Sequence, residues 1–161
     1  VSENHKILIF SSFKRVIDNV QKRFEKEKIS NYKITGEVSS KKRMELVDCF
    51  NEDDTSCFLI TLKSGGTGLN LTKADVVIHL DIWWNPQVEN QATDRAHRIG
   101  QKNNVTVIKM VTKGTIEERI IELQEKKQKL SDNIIEGKDD ATLVSKLEKE
   151  DMINLLSFDK E

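Results

Sequence analysis

Five short apolar runs, separated by amphipathic stretches, constrain the fold of this 161-residue chain more than any other feature. The runs span residues 6–10, 32–35, 57–61, 75–80 and 105–111, and they are β-branched and nearly continuous. Such runs are typical of strands that are buried on both faces of a parallel sheet. Between them, apolar residues recur at helical spacing, first at 16, 17, 20 and 24, then at 44, 47 and 50 behind the cap candidates Ser39 and Ser40. The alternation predicts an α/β fold, with a mostly parallel sheet and helices on both faces.

The last third of the chain predicts helices instead of strands. Residues 115–135 form one amphipathic pattern, and Thr115 with Glu118 three positions later is a capping-box pattern. A break at 136–142 is followed by a second amphipathic pattern over 141–158. We therefore expect a domain over 1–135 and a helical tail over 136–161. The tail either completes the core of this domain or packs on another part of a larger protein.

Composition narrows the classes of function. No apolar run approaches the roughly 20 residues of a membrane span, so we expect no membrane partner. The net charge of −1 lacks the bulk basicity of many nucleic-acid binders, so such a partner must be argued from a local site. Cys49 and Cys57 lack metal-ligand spacing and are expected to be free thiols in a reducing compartment. The chain starts without Met and enters a strand at once, which suggests a piece of a longer protein without a signal peptide.

The stretch LITLKSGGTGLNL, residues 59–71, holds three of the seven glycines, Gly65, Gly66 and Gly68. Glycine permits positive φ and lets backbone N–H groups approach an anion closely. A glycine-rich turn at the carboxyl end of a parallel strand is a common phosphate site. A tight turn without a ligand is the alternative, since neither the Walker A pattern nor GxGxxG occurs in the chain.

The stretch DIWWNPQVENQATDRAHRIGQ, residues 81–101, predicts a helix that Asn85 caps and Gly100 ends. Arg95 and Arg98 are three residues apart, so their guanidinium groups can converge on one target. A phosphate suits that geometry, because guanidinium forks match its oxygens. The alternative is a structural pairing with Asp94.

The two tryptophans before this helix allow two interpretations. Trp83 and Trp84 form either a packing plug or a stacking surface for a base or sugar. His97, on the predicted helix, is expected to be a structural hydrogen-bonding residue.

Four segments carry a resemblance to a known family. KILIFSSF, the GGTGLNL turn, WNP and QATDRAHRIGQ occur in the order found in the second helicase lobe of Swi/Snf-type ATPases. These are DNA translocases and chromatin-remodelling motors of helicase superfamily two, and the resemblance runs from about Lys6 to Ile135. It implies a three-layer RecA-like lobe with a C-terminal helical extension. It also implies a two-lobe motor, with ATP and Mg²⁺ between the lobes and double-stranded DNA across both.

The resemblance assigns roles residue by residue. Arg95 and Arg98 match arginines that reach the ATP γ-phosphate, Arg98 as the arginine finger, and Gln91 lines the same cleft. Gly68 and Asn70 fall near the ATP ribose, although Asn70 stands where related helicases have an acidic contact. No metal ligand is assigned. The expected DNA contacts are Ser11, Ser12, Thr61, Lys63, Ser64, Gly65 and Trp84.

The chain lacks the phosphate-binding GKT or GKS and the acidic pair that would hold magnesium. In the family these belong to the first lobe, so we expect the isolated chain to hydrolyse negligible ATP. Expected partners are duplex DNA, the first lobe of the same parent chain and a protein encountered on the DNA. An RNA helicase lobe and a non-catalytic DNA-binding scaffold are the alternatives. The lysine-, isoleucine- and asparagine-rich composition favours a bacterial, cytoplasmic protein, and a eukaryotic one would be nuclear.

Overall fold

The computed structural model describes residues 5–65, 68–96 and 104–135. The chain divides between Met110 and Val111 into two compact units. None of the helices in these described ranges is long and apolar enough to cross a membrane. The expected boundary at 135/136 and the expected helix over 141–158 lie at or outside the described ranges and stay predictions.

The first unit is built on one parallel sheet. Its strands are β1 (Ile7–Ser11), β2 (Asn31–Ile34), β3 (Cys57–Thr61), β4 (Val76–His79) and β5 (Thr106–Lys109). They lie in the order β2-β3-β1-β4-β5, and every neighbouring pair is parallel. Each of the five apolar runs forms a strand, so the predicted α/β class is confirmed.

Helices cover both faces of this sheet. The described residues of the unit form the helices α1 (Lys14–Lys26), α2 (Ser40–Glu52), α3 (Leu62–Gly65) and α4 (Pro86–Thr93). Ile17 of α1 packs on one face, and Phe50 of α2 and Ala92 of α4 pack on the other. Because successive strand residues point to opposite faces, Phe10 and Ile9 of β1 belong to these two different clusters. The result is the three-layer arrangement expected from the sequence.

The helix α2 confirms its predicted cap and corrects its predicted stripe. The Ser39 hydroxyl accepts a hydrogen bond from the Lys42 N–H at 3.3 Å, as an N-cap residue does. Val47 and Phe50 are buried, but Met44 is 68% exposed. Met44 lies six positions before Phe50, and on an α-helix this spacing points the two side chains about 120° apart. Met44 therefore lies outside the buried face.

The strand β5 also departs from the prediction that all five strands are buried on both faces. Each of its four residues is exposed. Among the described residues, β5 is the last strand in the sheet order, and β4 is its neighbour. An apolar composition does not reveal whether a strand is central or at an edge.

The two cysteines are free thiols, as predicted. Cys57 is buried in β3, and burial raises the pKa of its thiol. Cys49 is exposed on α2. The Cys57 thiol therefore stays protonated at neutral pH and packs as a small apolar group.

The second unit contains the helix α5 (Ile116–Ile135), which confirms the predicted long helix. Thr115 and Glu118 both accept hydrogen bonds at the start of α5, but each from a residue one position before the partner that a capping box requires. The Thr115 hydroxyl accepts from the Glu117 N–H at 3.3 Å, and the Glu118 carboxylate accepts from the Gly114 N–H at 2.7 Å. In an ideal capping box the glutamate would bond the cap residue itself, one position later.

Candidate functional site

The carboxyl ends of the central strands form a crevice. The chain leaves β1 through α1 toward β2, on one side of the sheet, and leaves β4 through α4 toward β5, on the other. β1 and β4 are neighbours, so their connections diverge just beyond Ser11 and His79. In open parallel sheets, ligands bind in the crevice at such a switch point.

Asp81 organises the β1 side of this crevice. Its carboxylate accepts hydrogen bonds from the Ser11 hydroxyl and, at 2.9 Å, from the Ser12 N–H. Ser11 also accepts from the Phe13 N–H at 3.1 Å and is 1% exposed. The Ser12 Oγ atom is buried and has no hydrogen-bond partner within the described part of the chain. Asp81 was not predicted from the sequence, although its position directly after a strand run is a signal that points to it.

The end of β3 lies beside these serines. Thr61 is the register partner of Ser11, and its hydroxyl hydrogen-bonds the Ser64 hydroxyl of α3 at 2.8 Å. Both residues are buried, whereas Lys63 between them is exposed. Gly65 ends α3. The expected DNA contacts of β1 and β3 therefore share one edge of the sheet, and among them Lys63 presents an accessible cation.

The glycine-rich turn continues from α3. Gly68 adopts a φ of +57°, in the left-handed region that glycine enters without strain. Asn70 is exposed, and its carbonyl accepts from the Asn51 side chain at 2.8 Å. The Leu71 N–H donates to the Arg95 carbonyl at 3.0 Å. This last bond places the turn directly against the arginine-bearing segment.

A cavity of about 380 Å³ opens beside the turn. Its volume falls within the range of small-molecule sites. One wall is the outer face of α2, which accounts for the exposure of Met44, and the other is the segment after Gly68. The lining residues are Ser40, Arg43, Met44, Val47, Asp48, Gly68, Leu69 and Asn70.

The helix α4 begins as predicted and ends earlier than predicted. The Asn85 side chain accepts from the Gln87 N–H at 3.0 Å, and Pro86 opens the first turn. The last helical residue is Thr93, and the Arg95 N–H then bonds the Ala92 carbonyl, three residues back, at 3.2 Å. One continuous helix as far as Gly100 is therefore wrong at residues 94–96, because the backbone tightens into a turn there.

Of the two arginines predicted to act as a pair, the structure describes Arg95. Arg95 is 8% exposed and lies in the turn, so it is not on the helix as expected. Gln91 is exposed on α4. Arg98 and His97 lie outside the described residues, so their relation to Arg95 stays a prediction.

The two tryptophans separate into different environments. Trp83 is partly buried and packs against the main core cluster, as a plug would. Trp84 is 51% exposed at the same edge of the sheet. The environment of Trp83 suits a packing plug, and that of Trp84 suits a stacking surface.

Glu89 and His79 are buried polar residues near the two tryptophans, and neither was predicted from the sequence. Glu89 of α4 is 1% exposed, and its carboxylate contacts the Trp83 N–H and Lys109 of β5. His79 stacks on Phe10, with ring centroids 5.5 Å apart, and its Nε2 lies 3.1 Å from the Thr93 hydroxyl. Burial lowers the pKa of His79, which favours the neutral imidazole. Within the described ranges, no group of His, Cys, Asp and Glu side chains is arranged to hold a metal ion.

Comparison with known proteins identifies the lobe. The helicase conserved C-terminal domain family matches residues 1–100. The chain is 43% identical over 157 residues to the putative ATP-dependent helicase/translocase YwqA of Bacillus subtilis, covering 96% of this chain and 17% of that protein. It is 38% identical over 157 residues to the mouse SWI/SNF-related matrix-associated actin-dependent regulator of chromatin subfamily A member 1, covering 96% of this chain and 15% of that protein.

A solved structure shows the same fold. The C-terminal part of the Fun30 ATPase domain has a TM-score of 0.72 and 36% identity, over 75% of this chain and 40% of that chain. The chain spans 17% or less of the length of the two curated relatives. The resemblance drawn from the four sequence segments is confirmed, including the RecA-like fold.

Proposed function

Since this chain belongs to the helicase conserved C-terminal domain family, with Swi/Snf-type relatives, we propose that it is the second motor lobe of an ATP-dependent double-stranded-DNA translocase. The relatives are named as an ATP-dependent helicase/translocase and a chromatin-remodelling ATPase, which supports an ATPase activity of the parent. We further propose that the parent acts on double-stranded DNA, that it moves along this DNA, and that the residues named below take part.

The observation that carries the proposal is the hydrogen bond from the Leu71 N–H to the Arg95 carbonyl. It brings the glycine-rich turn and the arginine-bearing segment together, although they are more than twenty residues apart in sequence. A nucleotide that contacts both segments needs this juxtaposition. The adjacent cavity, lined in part by Gly68 and Asn70, offers space for a small polar group such as a ribose.

The nucleotide is held mainly by the first lobe, and bound ATP with Mg²⁺ supplies the phosphoanhydride bond whose cleavage drives motion. In this chain Arg95 and Arg98 supply positive charge to the γ-phosphate when the lobes close, and Gln91 lines the cleft. An arginine finger contributes on the order of 10³ to 10⁵ in rate. Arg95 is 8% exposed in the turn that follows α4.

The DNA backbone lies along the carboxyl ends of β1 and β3. Lys63 provides an exposed cation there, the backbone after Thr61 provides hydrogen-bonding groups, and Trp84 lies at the same edge. Ser12, whose Oγ is buried, lies beside them. Ser11, Thr61 and Ser64 are buried, so they support this surface from beneath. Backbone and hydroxyl contacts of this kind require no net positive charge.

The test compares ATP hydrolysis by the full-length parent without nucleic acid, with duplex DNA and with duplex RNA. Stimulation by duplex DNA supports the proposal. Stronger stimulation by RNA would support an RNA helicase lobe, and DNA binding without hydrolysis would support a scaffold. The isolated chain, which lacks the phosphate-binding lysine motif, is expected to show no hydrolysis above background.

A further inference from the structure

Glu89 is a charged residue in a position where a charge is costly. Its side chain is 1% exposed in the first turn of α4. A buried carboxylate is tolerated only when its oxygens are paired. Here Oε1 accepts the Trp83 N–H at 2.6 Å, and Oε2 lies 2.6 Å from the Lys109 Nζ.

These two contacts join three elements of the fold. Trp83 belongs to residues 81–85, called here the tryptophan loop, which connects β4 to α4. Lys109 belongs to the edge strand β5, and its side chain is 34% exposed. Glu89 therefore ties the tryptophan loop to the helix that follows it and to the edge of the sheet.

The tryptophan loop is fixed on both sides of Trp84. On one side, the Trp83 backbone is held by Glu89 and the Trp83 side chain packs against the core. On the other side, the Asn85 side chain caps α4. With its two neighbours held, the exposed Trp84 side chain projects from a backbone that has little freedom to turn.

We propose that Glu89 is a positioning residue, which holds the tryptophan loop so that Trp84 meets duplex DNA in one orientation. Lys109 neutralises the buried carboxylate and carries no further role. The proposal rests on the proposed function, since it gives Trp84 a DNA contact, but its structural half can be tested separately.

A role in stability alone does not explain the choice of a carboxylate. A buried ion pair is often no more stabilising than apolar side chains of similar volume. An apolar side chain at position 89 would pack beside Ala92 but would leave the Trp83 N–H without this acceptor. The feature that an apolar residue cannot replace is therefore the bond to the loop.

Two variants separate the acceptor from the charge. Glu89→Gln keeps an oxygen for the Trp83 N–H and loses the ion pair. Glu89→Met has a similar volume and loses both. Lys109 loses its partner equally in the two variants, so the difference between them reports the hydrogen bond to the loop.

The first measurement is the duplex-DNA concentration that gives half-maximal ATPase stimulation of the full-length parent. We expect Glu89→Met to raise it about tenfold, the order of effect of losing one aromatic stacking contact, and Glu89→Gln to change it less than about twofold. In a Trp84→Ala background, Glu89→Met should add nothing, because its effect acts through Trp84. Equal effects of Met and Gln, or an additive effect in that background, would overturn the proposal.

The second measurement is amide hydrogen exchange of the full-length parent over residues 82–88. Glu89→Met should speed exchange at the Trp83 amide roughly tenfold, and Glu89→Gln should leave it close to wild type. If duplex DNA does not stimulate the wild type, the proposed function fails, and this exchange still decides the positioning claim. Unchanged exchange in Glu89→Met refutes it.

Discussion

The Glu89–Lys109 pair predicts an asymmetric loss of stability. Lys109→Met leaves the Glu89 carboxylate, 1% exposed, without its cation. Breaking a fully buried pair costs about 3–5 kcal/mol. Because the Lys109 side chain is 34% exposed, solvent screens part of the interaction, and we expect about 2–3 kcal/mol. Glu89→Gln should cost only about 1 kcal/mol, since the lone ammonium can reach water and the glutamine still accepts from Trp83.

The assay is urea unfolding of the chain, followed by far-ultraviolet circular dichroism. With a slope of about 2 kcal/mol per M, Lys109→Met should lower the midpoint by about 1 M. The double variant Glu89→Gln with Lys109→Met should lose about as little stability as Glu89→Gln alone, because no buried charge remains. A buried ion pair is ruled out as the source of this stability if Lys109→Met costs no more than Glu89→Gln, or if the two losses add.

Three further predictions follow from burial and charge. Burial lowers the pKa of His79 from its ordinary value of 6.5, so the unfolded chain binds the proton more readily, and stability should fall as the pH drops below that value. Urea unfolding at about pH 5 and pH 7 should show this loss in the wild type and a smaller one in His79→Gln. Phe58→Ala should cost about 3–5 kcal/mol in thermal unfolding, because Phe58 is fully buried, while Phe13→Ala, 59% exposed, should cost under about 0.5 kcal/mol. Lys63→Ala in the full-length parent should reduce the salt dependence of duplex-DNA binding by about one ion, whereas Lys22→Ala, exposed on α1, should not.

The sequence predicted the sheet well because its signals are local. Each strand run is short, apolar and bounded by polar residues, and each became a strand within one or two residues of the expected limits. The prediction that β5 is buried on both faces was wrong, because strand order is a long-range property that composition does not encode. The predicted end of α4 was wrong. Gly100 is a strong stop signal in the sequence, whereas the turn at residues 94–96 contains no residue that predicts it.

The site was predicted in part. The motifs located Thr61, Gly68 and Arg95, and the fold brings their segments to one region. The supporting residues Asp81 and Glu89 were missed, since their partners are far away in sequence. One signal for Glu89 was available: it lies three positions before the buried Ala92, so the two residues share a face of α4. A carboxylate on an apolar face implies a cation that covers it.

We propose that this lobe supplies an arginine finger to a DNA-stimulated ATPase, with Arg98 as the finger. The most direct measurement is the duplex-DNA-stimulated ATP hydrolysis of the full-length parent carrying Arg98→Ala, with ATP binding measured in parallel. Arg23→Ala is the matched control, because the Arg23 side chain is 73% exposed on α1. We expect Arg98→Ala to lower the rate of hydrolysis about 10³-fold or more, with ATP still bound and the control unaffected. Normal hydrolysis by Arg98→Ala would contradict the assignment and make the arginine structural.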